Sequence, residues 1–367
     1  MKNIGRKFNL ILKMICTIFM LPFYLAGAEV SQPYILMTVE HGIQYIKVDT
    51  NTTDQKIFSV ISDRQLQING YAQIRYQQFQ TGAGKVSGAD LRRIRTSFNG
   101  QISNAWHYLL QVEFASSPKA VDAYVTYSLN SFFNLTAGQF KIPFSQENLC
   151  SSSKLVMIDR SQMVEALVAR SGDVVGNQNG RDIGIKINGS IINYDGHFIL
   201  DYALGLFNGS GINSSDNNNA KDFCGRIVIH PLTGIELGTD YYNGYDIWGN
   251  NGKAQQRTRF GLEANINIKT VNVSMEYISG NDGTTRHNGW YAQFAYFIIL
   301  NVLQAAARYD SFNSNIDISG STLKNYTLGI NYFVNNWVKL QANYLLRREE
   351  TNQKDNDVLE MQLQFCF

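Results

Sequence analysis

The stretch that decides the fold closes the chain: Leu359-Glu360-Met361-Gln362-Leu363-Gln364-Phe365-Cys366-Phe367, or LEMQLQFCF. Leu, Met, Leu, Phe and Phe fall on one side of an extended chain, while Glu, Gln, Gln and Cys fall on the other. A period of two is the signature of a strand with unlike faces. Terminal residues usually fray. Here the alternation runs to the final aromatic, so the stretch is expected to be a seam that must pair with another strand.

The same pattern recurs upstream. In QINGYAQIRYQ (67–77), Ile68, Ala72, Ile74 and Tyr76 oppose Asn69, Tyr71, Gln73 and Arg75; in RRIRTSFNGQI (92–102), Ile94, Phe98 and Ile102 oppose Arg93, Arg95, Asn99 and Gln101. Further strands are predicted near 106–116, 120–130, 133–143, 181–193, 196–207, 222–230, 235–243, 256–269, 271–279, 288–299, 302–311, 324–334, 337–348 and 357–367, sixteen in all. Most have about ten residues, the length of a tilted strand that crosses a bilayer. Thirty glycines against 5 prolines, with 20 Tyr and 21 Phe, suit strands and turns rather than helices.

The connections sort into two kinds. Short turns follow the even-numbered strands, at Asn104, 130–132, 193–196, 230–234, 269–270, 300–301 and 335–336; longer polar loops follow the odd-numbered ones, at 81–90, 144–180, 208–221, 244–255, 279–287, 312–323 and 349–356, with a short SSPK at 116–119. This asymmetry predicts an all-β fold, a 16-stranded antiparallel transmembrane β-barrel with long extracellular loops and short periplasmic turns. Backbone groups in hydrocarbon must find partners within the protein, so the sheet has to close and the last strand has to meet the first. Side chains cannot fill a bore that wide. The apolar face is therefore expected to look outward, around a wet lumen.

Residues 1–28, basic and then apolar up to Ala26-Gly27-Ala28, are expected to be a signal peptide. Removing Lys2, Arg6, Lys7 and Lys13 would move the net charge from +2 to about −2, which gives no support for a nucleic-acid partner. Residues 29–66, without clear pattern, are expected to be a periplasmic lead segment, and 67–367 the barrel. Cys150, Cys224 and Cys366 are too scattered for a disulfide framework or a metal site. Dispersed histidines and the absence of a nucleophile or phosphate-loop motif leave an enzyme unsupported, and no cofactor is expected.

If the lumen holds water, its lining carries the function. Inward positions give the bases Arg75, Arg93, Arg95, Lys186, Arg226, Arg259, Arg308, Lys339 and Arg347 against Glu113, Asp122, Asp182, Asp201, Glu236, Asp240, Glu263, Glu276, Asp310 and Glu360. The two sets nearly balance, so arrangement decides selectivity. Arg75, Arg93 and Arg95 share a hairpin, and form either an anion guide or solvated charge paired across the bore. In the longest loop, 144–180, Met163, Val164, Leu167 and Val168 recur at helical spacing. Either this helix folds into the mouth, with Lys154, Arg160 and Arg170 as gatekeepers, or it packs outside or at a subunit interface.

DLRRIRTSFNGQI (90–102), GQFKIPFSQENLCSSSKLVMIDRS (138–161), YALGLFNGSGIN (202–213), RYDSFN (308–313) and the closing strand resemble the phosphate-selective porin O and P family over most of 67–367. The resemblance implies a porin of the bacterial outer membrane, in contact with its lipid and open to passive diffusion of small hydrophilic solutes. It also implies a homotrimer, an inward-folded third loop and basic residues that attract anions or phosphate, with Arg93, Arg95 and Lys141 in the matching stretches. Two other readings stand beside it: a barrel whose loops serve adhesion or surface binding, and an outer-membrane lipid hydrolase.

Overall fold

In the computed structural model, residues 66–367 are described, apart from 195–196 and 250–251. The signal peptide expected at 1–28 and nearly all of the lead segment at 29–66 lie outside the described residues. The strands are β1 (Gln67–Phe79), β2 (Gly88–Ser103), β3 (Trp106–Glu113), β4 (Lys119–Asn130), β5 (Phe133–Lys141), β6 (Arg181–Tyr194), β7 (His197–Phe207) and β8 (Asp222–Leu232). They continue as β9 (Ile235–Ile247), β10 (Ala254–Ile268), β11 (Val271–Asp282), β12 (Thr285–Ile299), β13 (Leu303–Asn313), β14 (Thr322–Phe333), β15 (Val338–Glu349) and β16 (Val358–Cys366). Each pairs antiparallel with its sequence neighbours, and β1 pairs with β16 to close the barrel.

The closing register runs from Tyr71 opposite Cys366 to Phe79 opposite Val358. Beyond it, Gly70 N donates to Phe367 O at 2.8 Å and Phe367 N donates back to Gly70 O at 2.9 Å. The Phe367 ring lies over Gly70, where a Cβ would meet ring carbon Cζ at 2.2 Å. The terminal alternation therefore serves the seam expected of it.

Polarity is inverted relative to a water-soluble barrel. Leu363, Phe365 and Phe367 are exposed, whereas Glu360, Gln362 and Gln364 are buried toward the bore. On β12, Trp290, Phe294 and Tyr296 point out, and Tyr291, Gln293 and Ala295 point in. Paired outer aromatics occur toward both rims, Trp106 with Tyr127 near the short-turn rim and Trp290 with Tyr309 toward the other. Such girdles mark the two interfaces of a bilayer.

Two details differ from the sequence reading. The expected loop at 279–287 is paired strand: Asp282 faces Thr285, and Gly283 at φ 59° makes the turn. Its polar residues belong to a hairpin that continues the ladder past the apolar band, where polarity no longer marks a loop. A β-bulge between β1 and β2 sets Gln73 opposite Arg93 and Ile74 opposite Leu91, leaving Arg92 as the extra residue.

Residues 142–180 leave β5 and turn into the barrel. They carry α1 (Gln146–Leu149) and α2 (Gln162–Leu167). Ser161 caps α2 by accepting from Val164 N. The apolar positions at helical spacing, Met163, Val164, Leu167 and Val168, are all buried, in one cluster with Phe140, Phe207, Tyr242, Ile278, Tyr291 and Phe312 of the wall. Full burial of each such side chain is worth about 1.5–3 kcal/mol. The helix packs inside the bore rather than outside the barrel.

Candidate functional site

The loop is held to the wall by polar side chains that bond to its backbone. Ser145, Gln146 and Glu147 donate their backbone N–H groups to Asp240, Glu263 and Glu276 at 3.0, 2.8 and 2.8 Å, one acid from each of β9, β10 and β11. Farther on, Gln73 and Gln364 donate to the carbonyls of Ser152 and Ser153, and Gln341 and Asn331 both donate to that of Val156. The Asn343 side chain accepts from Ile158 N at 2.7 Å. Amide side chains make these bonds without adding charge.

The inward arginines divide by role. Arg308 donates to Glu147 and to the carbonyls of Asp159 and Arg160; Arg259 donates to Leu167 O at 3.0 Å and Asp282 at 2.7 Å, with about 2 % of its surface exposed. Arg259 was expected to line the pore. It does point inward, but α2 covers it. Arg170, expected as a gatekeeper, is likewise buried and donates to Asn148 Oδ1 and Asn179 O within the loop. Arg226 pairs with Asp240 at 3.4 Å and with Glu263. Lys339 Nζ donates to Ser153 O and Leu155 O.

Above the loop, toward the long-loop rim, lies a cavity of about 600 Å³. Its lining holds Arg75, Arg92, Arg93, Arg160, Arg308, Arg347 and Arg348 against only three acids, Asp159, Glu165 and Glu349. Arg75 pairs with Asp90 at 2.7 Å and reaches Asp159 at 3.3 Å; Arg92 donates to Asp159 at 2.7 Å and to Ile158 O. Burial pushes the Asp159 carboxyl up, but Arg92 and Arg75 outweigh it and hold the group below the usual carboxylate range. Burial prevails at Glu147 and raises its carboxyl against the pull of Arg308 and Arg160. Arg160 bonds mainly to carbonyls, those of Glu147 and Cys150.

Below the loop are two more spaces. One, about 570 Å³, is lined by Arg95, Lys141, Arg181 and Lys186 with Asp122. There Arg95 pairs with Glu113 at 2.8 Å, Arg181 with Asp122 at 2.7 Å, and Lys141 Nζ donates to Leu149 O and Cys150 O. The other, about 610 Å³, is lined by Lys154, Arg226 and Lys339 and reaches the β10–β11 turn at Lys269 and Thr270. Arg93 and Arg95, two residues apart on β2, thus reach from the upper space to a lower one. Their spacing is about 6.6 Å along the strand. Among the described residues the three cysteines are free and no His, Cys, Asp or Glu group is placed to hold a metal ion.

Alternation placed the inward arginines but missed Arg92. A bulge moves it to the wet side, and nothing in a period of two marks a bulge. The near balance of charge also concealed a separation. Asp240, Glu263 and Glu276 are engaged by the loop backbone, and Asp182 accepts from Gly209 N and Gly211 N.

A closed, lipid-faced barrel of sixteen strands with a long loop folded into a polar bore has the architecture of an outer-membrane porin. The family model for phosphate-selective porin O and P matches residues 66–273 and 247–367, and the chain belongs to that family: it is a channel for small solutes in the bacterial outer membrane. An uncharacterized protein of Aquifex aeolicus is 25% identical over 292 residues, 68% of each chain. The anion-selective porin from Comamonas acidovorans shares the fold at TM-score 0.64 and 14% identity, over 83% of this chain and 100% of that one. The outer-membrane channel DcaP of Acinetobacter baumannii does so at TM-score 0.59 and 14% identity, over 83% and 97%.

Proposed function

We propose that the channel prefers anions, phosphate among them, and that residues 144–180 form its constriction. The observation that carries this reading is the separation of charge inside the bore: seven arginines and three acids line the upper cavity, while acids on β9, β10 and β11 are turned to fixing the loop. A small anion entering from the long-loop rim meets Arg75, Arg92, Arg160 and Arg347, then passes along β2 from Arg93 to Arg95. Below, Lys141 and Lys186 continue the basic lining. The name of the Comamonas porin and that of the family agree with this preference. Assembly as a homotrimer, implied by the family, belongs to the same reading and is measured by the mass of the native complex in detergent.

The test is the reversal potential of purified protein in a planar bilayer across a KCl gradient. The expected sign is that of an anion-selective pore. Replacing Arg93 and Arg95 together by Gln should reduce the preference roughly fivefold, the effect of a charge worth about 1 kcal/mol at 4 Å in water. An unchanged potential would remove the β2 stripe from the mechanism.

A further inference from the structure

Phenylalanine has no obvious use in a wet bore, yet Phe297 near the end of β12 and Phe333 at the end of β14 face inward with partly buried rings that line a cavity. Their centroids lie 5.7 Å apart, with planes inclined at 42°. The inward phenylalanines around the loop, Phe140, Phe207 and Phe312, are buried by it; this pair instead forms part of the lower 610 Å³ cavity. Leu155 and Val156 of the loop extend the apolar wall. Cations flank it. Lys339 Nζ stands 5.9 Å from the Phe333 centroid, and Lys154, exposed into the same cavity, makes no ion pair among the described residues.

An apolar ledge of two rings beside an uncompensated ammonium is complementary to a flat ring bearing a carboxylate. Of the cavity's two acids, Glu147 is paired with Arg308; Glu236, which accepts from Asn265, keeps its charge, and Lys154, Lys269 and Lys339 of the lining outnumber it. We infer that the lower cavity is a subsite for aromatic carboxylates, the ring lying on Phe297 and Phe333 and the carboxylate meeting Lys154, while Lys339, buried and bonded to Ser153 O and Leu155 O, adds its charge from behind the rings. This inference rests on the anion-preferring reading and adds a class of organic anion to it. Aromatic contact supplies retention, while the lysines select the charged form.

Sodium benzoate, with sodium acetate and neutral benzamide as controls, tests it on single channels in KCl. Benzoate should reduce conductance saturably where equal acetate or benzamide does not. The pair Phe297→Leu/Phe333→Leu, which keeps apolar volume but removes both rings, should raise the half-blocking concentration about tenfold, within the range of an aromatic contact together with its lost surface. Lys154→Gln should raise it severalfold. Equal block by benzoate and acetate, or unchanged block in the ring variant, would overturn the subsite. The KCl reversal potential is read on the same membranes: anion preference without selective benzoate block sinks the subsite alone, whereas cation preference with ring-dependent block sinks the broader reading alone.

Discussion

Arg92 sits on the side of β2 that strict alternation assigns to lipid, and a bulge returns it to the bore, where it bonds to Asp159, Ile158 O and Gln73. With Arg75 it holds Asp159 against the first hairpin and so fixes the middle of the loop. Because the Asp159 carboxyl lies below its ordinary value, this attachment is complete above about pH 4, the unfolded carboxylate range, and is lost as pH falls further. Open-channel noise should therefore stay flat from pH 7 to pH 4 and rise below it. Asp159→Asn should bring the same noise to pH 7, and a transition between pH 5 and pH 7 would contradict this assignment. Arg92→Gln should act similarly but more weakly, since Arg75 retains its own contact with Asp159.

At the scale of elements, the loop and the wall are shaped to one another. A Cβ on Gly289 of β12 would come within 2.9 Å of Met163 Cβ and 2.8 Å of Ser311 O, and one on Gly329 of β14 would come within 3.0 Å of Met157 Sδ. Both glycines give methionines of the loop their seats. Gly289→Val should weaken docking of α2 by about 1–3 kcal/mol, the usual effect of overpacking. It should be seen as faster proteolysis within 154–168 of the folded, detergent-solubilised barrel; cleavage at the wild-type rate would show that the seat is unimportant. The strands and the internal helix were legible because lipid and buried protein both impose a period, 2.0 at LEMQLQFCF and 3.6 at Met163, Val164, Leu167 and Val168. The side on which α2 packs was not legible, because an apolar stripe names no partner. Nor was the role of Arg259 and Arg170, since inward position does not separate a side chain in water from one under a helix.

For the whole molecule, closure joins local pattern to function. Strands β1 and β16 are far apart in sequence but share a register of nine residue pairs, and Gly70 and Phe367 extend it by two hydrogen bonds. Gly70→Val would place its side chain in the Phe367 ring and should lower the yield of barrel that migrates as folded in unheated gels; normal yield would show that the ring's seat tolerates displacement. Around the closed wall, loop residues 144–180 divide the bore, so its conductance should be set by the loop more than by the strands. Single-channel recording in planar bilayers, comparing the wild type with a variant whose residues 154–168 are replaced by a short Gly-Ser link, tests this most directly. The expected result is discrete open steps in both, larger in the variant and less anion-selective. A wild type without steps, or steps of equal size in the two proteins, would contradict a water-filled channel narrowed by its own third loop.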